Sequence, residues 1–220
     1  MTTLRVGRLS VSRMQAENWL LDHTAGGRTA LGYPAYDEYR ADVRSAPLDE
    51  ADLLAPALLA APPAPSDYYW LRQRLPVLNQ ALESIAPNAR IADGSTPAGL
   101  IEPLFAVLDE AGGAEVGPAT LSRILHRKRP WFIPLWDRQI GSCYLADDAP
   151  TTGPAGGSAV RLAVAVQQDL AAAPEVWAGL AGIADRPPIS PLRALAVVAA
   201  HLGGAAGGVP EPRDRSGAQV

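Results

Sequence analysis

The stretch from Leu100 to Tyr144, LIEPLFAVLDEAGGAEVGPATLSRILHRKRPWFIPLWDRQIGSCY, decides how this chain is read. Leu100, Ile101, Leu104, Phe105 and Leu108 recur at helical spacing and give one apolar face. Gly112-Gly113 closes that helix, and Gly117-Pro118 opens another that carries Leu121, Ile124 and Leu125 inward until Pro130 stops it. A Pro-containing loop follows, then a third helix with Ile140, Cys143 and Tyr144 on one side. The pattern is helix, Gly-rich hairpin, helix, loop, helix. It predicts that the Leu100–Glu110 and Pro118–Arg129 helices pack as a hairpin pair.

Outward from this segment the same period dominates. Leu71, Leu75, Leu78, Leu82 and Ile85 step by four, three, four and three, with Ser66 a candidate N-cap and Pro76 a kink or a junction of two helices. Asp49–Ala61 reads as a buried helix with acids in its first turn. Ser190-Pro191 opens a last helix, with Leu195, Val198 and Leu202 inward and Gly203-Gly204 at its end. Only Leu4–Val11 hints at strand alternation. The fold class expected is therefore all-α, a compact assembly of about eight helices. Residues 1–202 make a single helical domain, divisible into two lobes near 61–66 at most, and 203–220 form a disordered tail. Ala61–Pro65 and Ala149–Gly157 read as linkers.

Composition bounds the chemistry. The chain has 220 residues, 48% of them apolar, enough for a sizeable core. Its one cysteine, Cys143, excludes an internal disulfide and any cysteine-cluster metal site. His23, His126 and His201 are too scattered for zinc spacing, so no metal and no cofactor is expected. A net charge of −4 gives no global pull toward nucleic acid or an anionic membrane. Leu121–Ile140, however, carries Arg123, Arg127, Lys128, Arg129 and Arg138 against Asp137, a local +4 that leaves −8 elsewhere. With no signal-like start and no membrane-length apolar run, a cytoplasmic protein is expected. Oligomeric state is not legible.

The basic patch lies beside the hairpin. A tight turn feeding a helix N-terminus leaves free amides that suit a phosphate. Ser122 and Arg123 stand in that helix's first turns, Arg127 shares Arg123's face, and Lys128 follows. Two readings stay open for each group. The Arg cluster is a solvated face or a phosphate contact, Asp137 is a helix cap or a catalyst, and Trp131 and Trp136 are core or stacking platforms. His126 and the lone Lys128 read as non-catalytic, and Asp147-Asp148 as a loop end. The aromatic-acidic run Tyr33–Tyr39 fits a turn and capped helix with its rings inward.

The hairpin Glu115–Thr120 followed by Arg129-Pro130-Trp131-Phe132-Ile133-Pro134-Leu135-Trp136-Asp137 resembles the core of the helix-hairpin-helix DNA glycosylase superfamily. The resemblance covers 45 of the 220 residues. It implies a glycosylase-like helical fold, association with duplex DNA, and a phosphate held by the amides near Val116 and Gly117. It also implies that Asp137 stabilises an oxocarbenium-like sugar or activates water as a flipped base departs. Glu115 stands where the family has its first hairpin glycine, and Asp137 lies one residue farther from Pro134 than the family spacing. Ala119 stands where strand-cleaving members carry a Schiff-base lysine, so any activity implied is monofunctional. Leu125–Pro130 through Trp136-Asp137 is also similar to an uncharacterised family of actinobacterial proteins. Three functions follow as alternatives: a DNA-binding protein of this fold, a base-excising enzyme using Asp137, and a helical interaction or structural protein.

Overall fold

The computed structural model describes residues 2–25, 32–145 and 153–206. It is mostly helical, and its only sheet among those residues is a two-stranded antiparallel hairpin, β1 (Thr3–Val6) and β2 (Leu9–Ser12). Here the all-α expectation needs a small correction. Leu4 and Val6 alternate inward on β1 and pair across to Val11 and Leu9. The hairpin is too short to stand alone. Asp169 holds it, accepting Arg5 Nε and the Gly7 amide, each at 2.6 Å.

The helices are α1 (Arg13–Thr24), α2 (Ala35–Glu38), α3 (Pro65–Glu83), α4 (Glu102–Ala106), α5 (Gly113–Lys128), α6 (Arg138–Tyr144), α7 (Ala155–Ala172), α8 (Pro174–Ala181) and α9 (Pro191–Ala206). α3 runs unbroken through Pro76. It begins at Pro65, one residue before the expected cap, because Asp67 accepts the Ala64 amide at 3.0 Å and satisfies the helix start. Asp49–Ala61 does coil, but as a 3₁₀ helix over Asp52–Leu59 with Pro56 inside it. Leu100–Glu110 is likewise not one α-helix: 3₁₀ turns at Ala98–Ile101 and Val107–Asp109 flank the short α4. That segment meets α5 through its second 3₁₀ turn, and α4 packs mainly on α7.

α7 is a helix where a linker is expected. Its Gly-rich start has a packing cause: a Cβ on Gly156 would fall 2.8 Å from the Glu102 carbonyl oxygen, so glycine lets α7 approach α4. Asp109 accepts the Ala155 amide at 2.9 Å at the same junction. Residues 149–152 of the expected linker and Asp147-Asp148 lie outside the described residues. Buried apolar side chains from Leu4 to Ala200 form one core cluster on both sides of 61–66. No helix of the described residues is long and apolar enough to cross a membrane.

The last helix also departs from expectation. Ser190 Oγ caps it by accepting the Arg193 amide at 3.0 Å, but α9 continues past Leu202 to Ala206. Gly203 is buried against α6, where a Cβ would overlap the Gln139 carbonyl. The expected tail therefore does not begin at 203; residues 207–220 lie outside the described residues. Gly203→Val is expected to lower stability by about 1–3 kcal/mol through overpacking. Gly204→Ala, whose Cβ would meet only Gln139 Nε2 at 3.6 Å, should be nearly neutral. Urea unfolding of both variants checks the contrast.

Candidate functional site

α5 is two helical pieces joined at Gly117, whose φ of 69° and ψ of 161° break the hydrogen-bond ladder. A positive φ is open to glycine at little cost, and nothing lies within 4 Å of where its Cβ would be. The break leaves the first amides of the Pro118–Lys128 piece without helical acceptors. Val116, just before it, is buried, while Glu115 is exposed beside the turn. Trp70 Nε1 fixes the other end of the turn by donating to the Ala111 carbonyl at 2.8 Å.

Beyond Gly117 the expected basic stripe is taken apart. Ser122 is fully buried; its Oγ accepts the Trp136 amide at 3.0 Å and reaches the Ala119 carbonyl at 3.0 Å, tying the Pro-rich loop to α5. Arg127 donates to the Tyr39 carbonyl through Nε at 3.1 Å and lies over the Tyr36 ring. Lys128 Nζ pairs with Asp52 at 2.7 Å, both side chains 2% exposed. Arg129 donates to the carbonyls of Ile85 at 2.7 Å and Leu82 at 3.2 Å. Ser122, Arg127 and Lys128 are thus bonded inside the fold rather than set on a solvated face. Helical spacing predicts which residues share a face, but not that the 33–61 segment covers that face.

Arg123 keeps a different environment. It is partly exposed, and its guanidinium makes no hydrogen bond or ion pair among the described residues. Its carbonyl accepts the Tyr36 hydroxyl at 2.6 Å. Tyr36 is buried, stacks on His126, and has its hydroxyl pKa pushed up by burial. The Tyr33–Tyr39 run is therefore a clamp on α5. Burial alone would raise the neighbouring Asp37 carboxyl, but the Arg193 guanidinium, paired with it at 3.0 and 3.2 Å, holds it below the usual carboxylate range.

Asp137 caps α6: Oδ1 accepts the Ile140 amide at 2.8 Å. Its second oxygen has no hydrogen-bond partner among the described residues. Asp137 also lines a cavity of about 190 Å³ with Arg123, Trp136, Arg193 and an apolar wall that includes Leu135, Ile140 and Ala196. This is below the roughly 300–1,000 Å³ of drug-sized sites and suits one planar fragment. The structure thus brings Asp137 and Arg123 together and keeps Arg127 and Lys128 apart from them. It adds Arg193, 56 residues beyond Asp137, and Gln139 at the exposed rim. The only signal for Arg193 was a lone charge in the otherwise apolar run Pro191–Ala200. Among the described residues no three His, Cys, Asp or Glu side chains are grouped to hold a metal ion.

Residues 16–203 match DUF6308, a family of unknown function. The chain belongs to that family. No curated protein and no solved structure matches it. The match runs from within α1 to the last turn of α9, so the turn at Gly117 and the Asp137 cavity both fall inside the family's extent.

Two histidines near this site give the fold a pH dependence. Burial, reinforced by the Arg193 charge, lowers His126 to about 3 and His23 to about 4. His126 donates Nδ1–H to the Ile133 carbonyl at 2.7 Å, and both His23 nitrogens lack a hydrogen-bond partner among the described residues. Each is neutral in the fold and titrates near 6.5 when unfolded, so unfolding takes up protons between pH 6.5 and about 4. Stability is therefore full above pH 7 and falls on acidification, by on the order of 3 kcal/mol between pH 7.5 and 5. Urea-unfolding free energies across that range should show the slope, and His126→Gln should reduce it by about half. A flat profile would contradict the assignment.

Proposed function

We propose that this protein binds duplex DNA at the Gly117 turn and takes one extruded base into the cavity beside Asp137, as a monofunctional DNA N-glycosylase does. The observation that carries this reading is the double position of Asp137. One carboxylate oxygen caps α6, the other is unpartnered among the described residues, and the residue lines a base-sized cavity with an indole in its wall. Flipping a base out of the duplex costs a few kcal/mol, which stacking and hydrogen bonding in such a pocket offset.

In this scheme the C1′–N bond breaks and its electron pair leaves with the base. The Asp137 charge stabilises the developing positive sugar. Water adds its oxygen to C1′, and the proton it loses passes by way of Asp137 to the departing base. The products are a free base and an unbroken abasic strand. Ala119 offers no amine, and the single lysine, Lys128, is buried against Asp52, so no lysine is placed for Schiff-base chemistry. The helix-hairpin-helix resemblance supports the same assignment, with phosphate contact expected at the amides near Val116 and Gly117.

A second reading, a helical structural or interaction protein with no nucleic-acid role, draws on the burial of Ser122, Arg127 and Lys128. The two readings separate on the same variants. As an enzyme, wild type releases a base from one of a panel of damaged or mismatched duplexes, and Asp137→Asn abolishes release while retaining binding and fold, since Asn still caps. Asp137→Ala costs about 1 kcal/mol of stability. Glu115→Gly should tighten duplex binding by removing a carboxylate beside the phosphate position, and binding should weaken with salt. Full activity in Asp137→Asn would remove the catalytic role. No duplex binding and no base release by wild type would leave the structural reading.

A further inference from the structure

We infer that Arg123 reads the base rather than a phosphate, and that the base class the cavity takes is guanine-type, with two hydrogen-bond acceptors side by side on one edge. The inference rests on the base-pocket reading above and goes beyond it by naming the specificity residue and the substrate class.

Arg90, Arg138 and Arg186 make no hydrogen bond or ion pair among the described residues, but they are exposed; the less exposed arginines are mostly paired. Arg5, Arg40, Arg72 and Arg74 pair with carboxylates, Arg127 and Arg129 donate to carbonyls, and Arg193 is clasped by Asp37. Arg123 is partly buried on the wall of the cavity and makes no such bond among the described residues. Its guanidinium nitrogens still meet solvent, so the acceptors of a ligand entering the cavity would replace water there. Its backbone is fixed, because the Arg123 carbonyl is held by the buried Tyr36 hydroxyl at 2.6 Å. The side chain therefore projects from a rigid part of α5.

The cavity's other walls decide which acceptors. Asp137 stands in the same lining, so a phosphate drawn to Arg123 would meet a carboxylate as well. Leu135, Ile140 and Ala196 give an apolar wall, and Trp136 gives an indole beside it, suited to a flat neutral ring. The guanidinium presents two parallel N–H donors as a fixed fork. An extruded base shows all its edges: guanine offers the adjacent acceptors O6 and N7 and cytosine offers N3 and O2, whereas adenine and thymine set each acceptor beside a donor or a methyl. Of the two, the bicyclic guanine covers more of the apolar wall and the indole. An extruded guanine, or a modified guanine that keeps both acceptors, is the ligand that satisfies Arg123 while its ring lies against the apolar wall.

The test uses isolated bases, which carry no phosphate. The full chain is titrated with 9-methylguanine, 7-deaza-9-methylguanine, 9-methyladenine and 1-methylcytosine by ligand-observed NMR, for wild type, Arg123→Met and Arg123→Lys. Wild type should bind 9-methylguanine at least tenfold more tightly than any of the others, and equal binding of 1-methylcytosine overturns the guanine assignment. Arg123→Met should erase that preference with its melting temperature unchanged, and Arg123→Lys should recover little of it, because an ammonium is not a fork. The 7-deaza comparison is made on wild type and decides the matter even if a variant misfolds. Equal binding of the guanine and its 7-deaza analogue, or a preference that survives Arg123→Met, overturns the inference and leaves the base-pocket reading standing. No binding of any of the four bases overturns both.

Discussion

Three consecutive cations at the end of α5 organise this protein. Arg127, Lys128 and Arg129 are each buried, and a buried cation is tolerated only when paired or well supplied with acceptors. Their partners come from three separate stretches: the Tyr39 and Val43 carbonyls, Asp52 in the 3₁₀ helix, and Leu82 and Ile85 at the end of α3. Position at a helix C-terminus adds a favourable interaction with the helix dipole. The result is that the segment 33–61 is bound to α5 by hydrogen bonds and ion pairs as well as by the buried Tyr36, Leu53, Ala55 and Leu59. Removing one member of a buried pair of this kind generally costs about 3–5 kcal/mol, so the contact is structural in effect.

The same clamp determines what remains for chemistry. Tyr36 and Asp37 lie on α2, inside the wrapped segment, and reach across to α5 and α9 through the Arg123 carbonyl and the Arg193 guanidinium. The cavity opens where α5, the Pro-rich loop, α6 and α9 meet beside that segment, with Leu59 and Ala60 on its border. Of the cations from Leu121 to Arg129, only Arg123 reaches it. The local +4 seen in sequence is thus divided between a structural task and a site.

Much of the fold was legible from apolar spacing and caps. Leu121, Ile124 and Leu125 do face inward on α5, Asp137 caps α6, and Ser190 caps α9. What escaped was decided by distant partners. The β1–β2 hairpin is four residues a side and depends on Asp169, 157 residues beyond Ser12. α7 starts with glycines that look like a linker until Glu102 is placed against them. Arg127 and Arg123 share a helical face by spacing, yet one is covered by Tyr39 and the other borders a cavity, a difference no local pattern encodes. Arg193 and Gln139 entered the site only through tertiary packing.

If Asp137 acts as proposed, its role as a helix cap favours that chemistry rather than opposing it. A capping carboxylate uses one oxygen on an amide of the first turn, here Ile140 N, and that bond fixes the plane of the whole group. The remaining oxygen is then oriented at no further conformational cost, on a backbone held by α6 and by the Ser122 link to Trp136. A group meant to stabilise charge at a defined point gains from this kind of fixation, because little reorganisation is left for the moment of reaction. The short α6 packs closely on α9 through Gly203 and Cys143, which makes the platform rigid as well as aimed. In the proposed reading, the structural demand for a helix cap and the chemical demand for a fixed carboxylate fall on one residue lining one cavity.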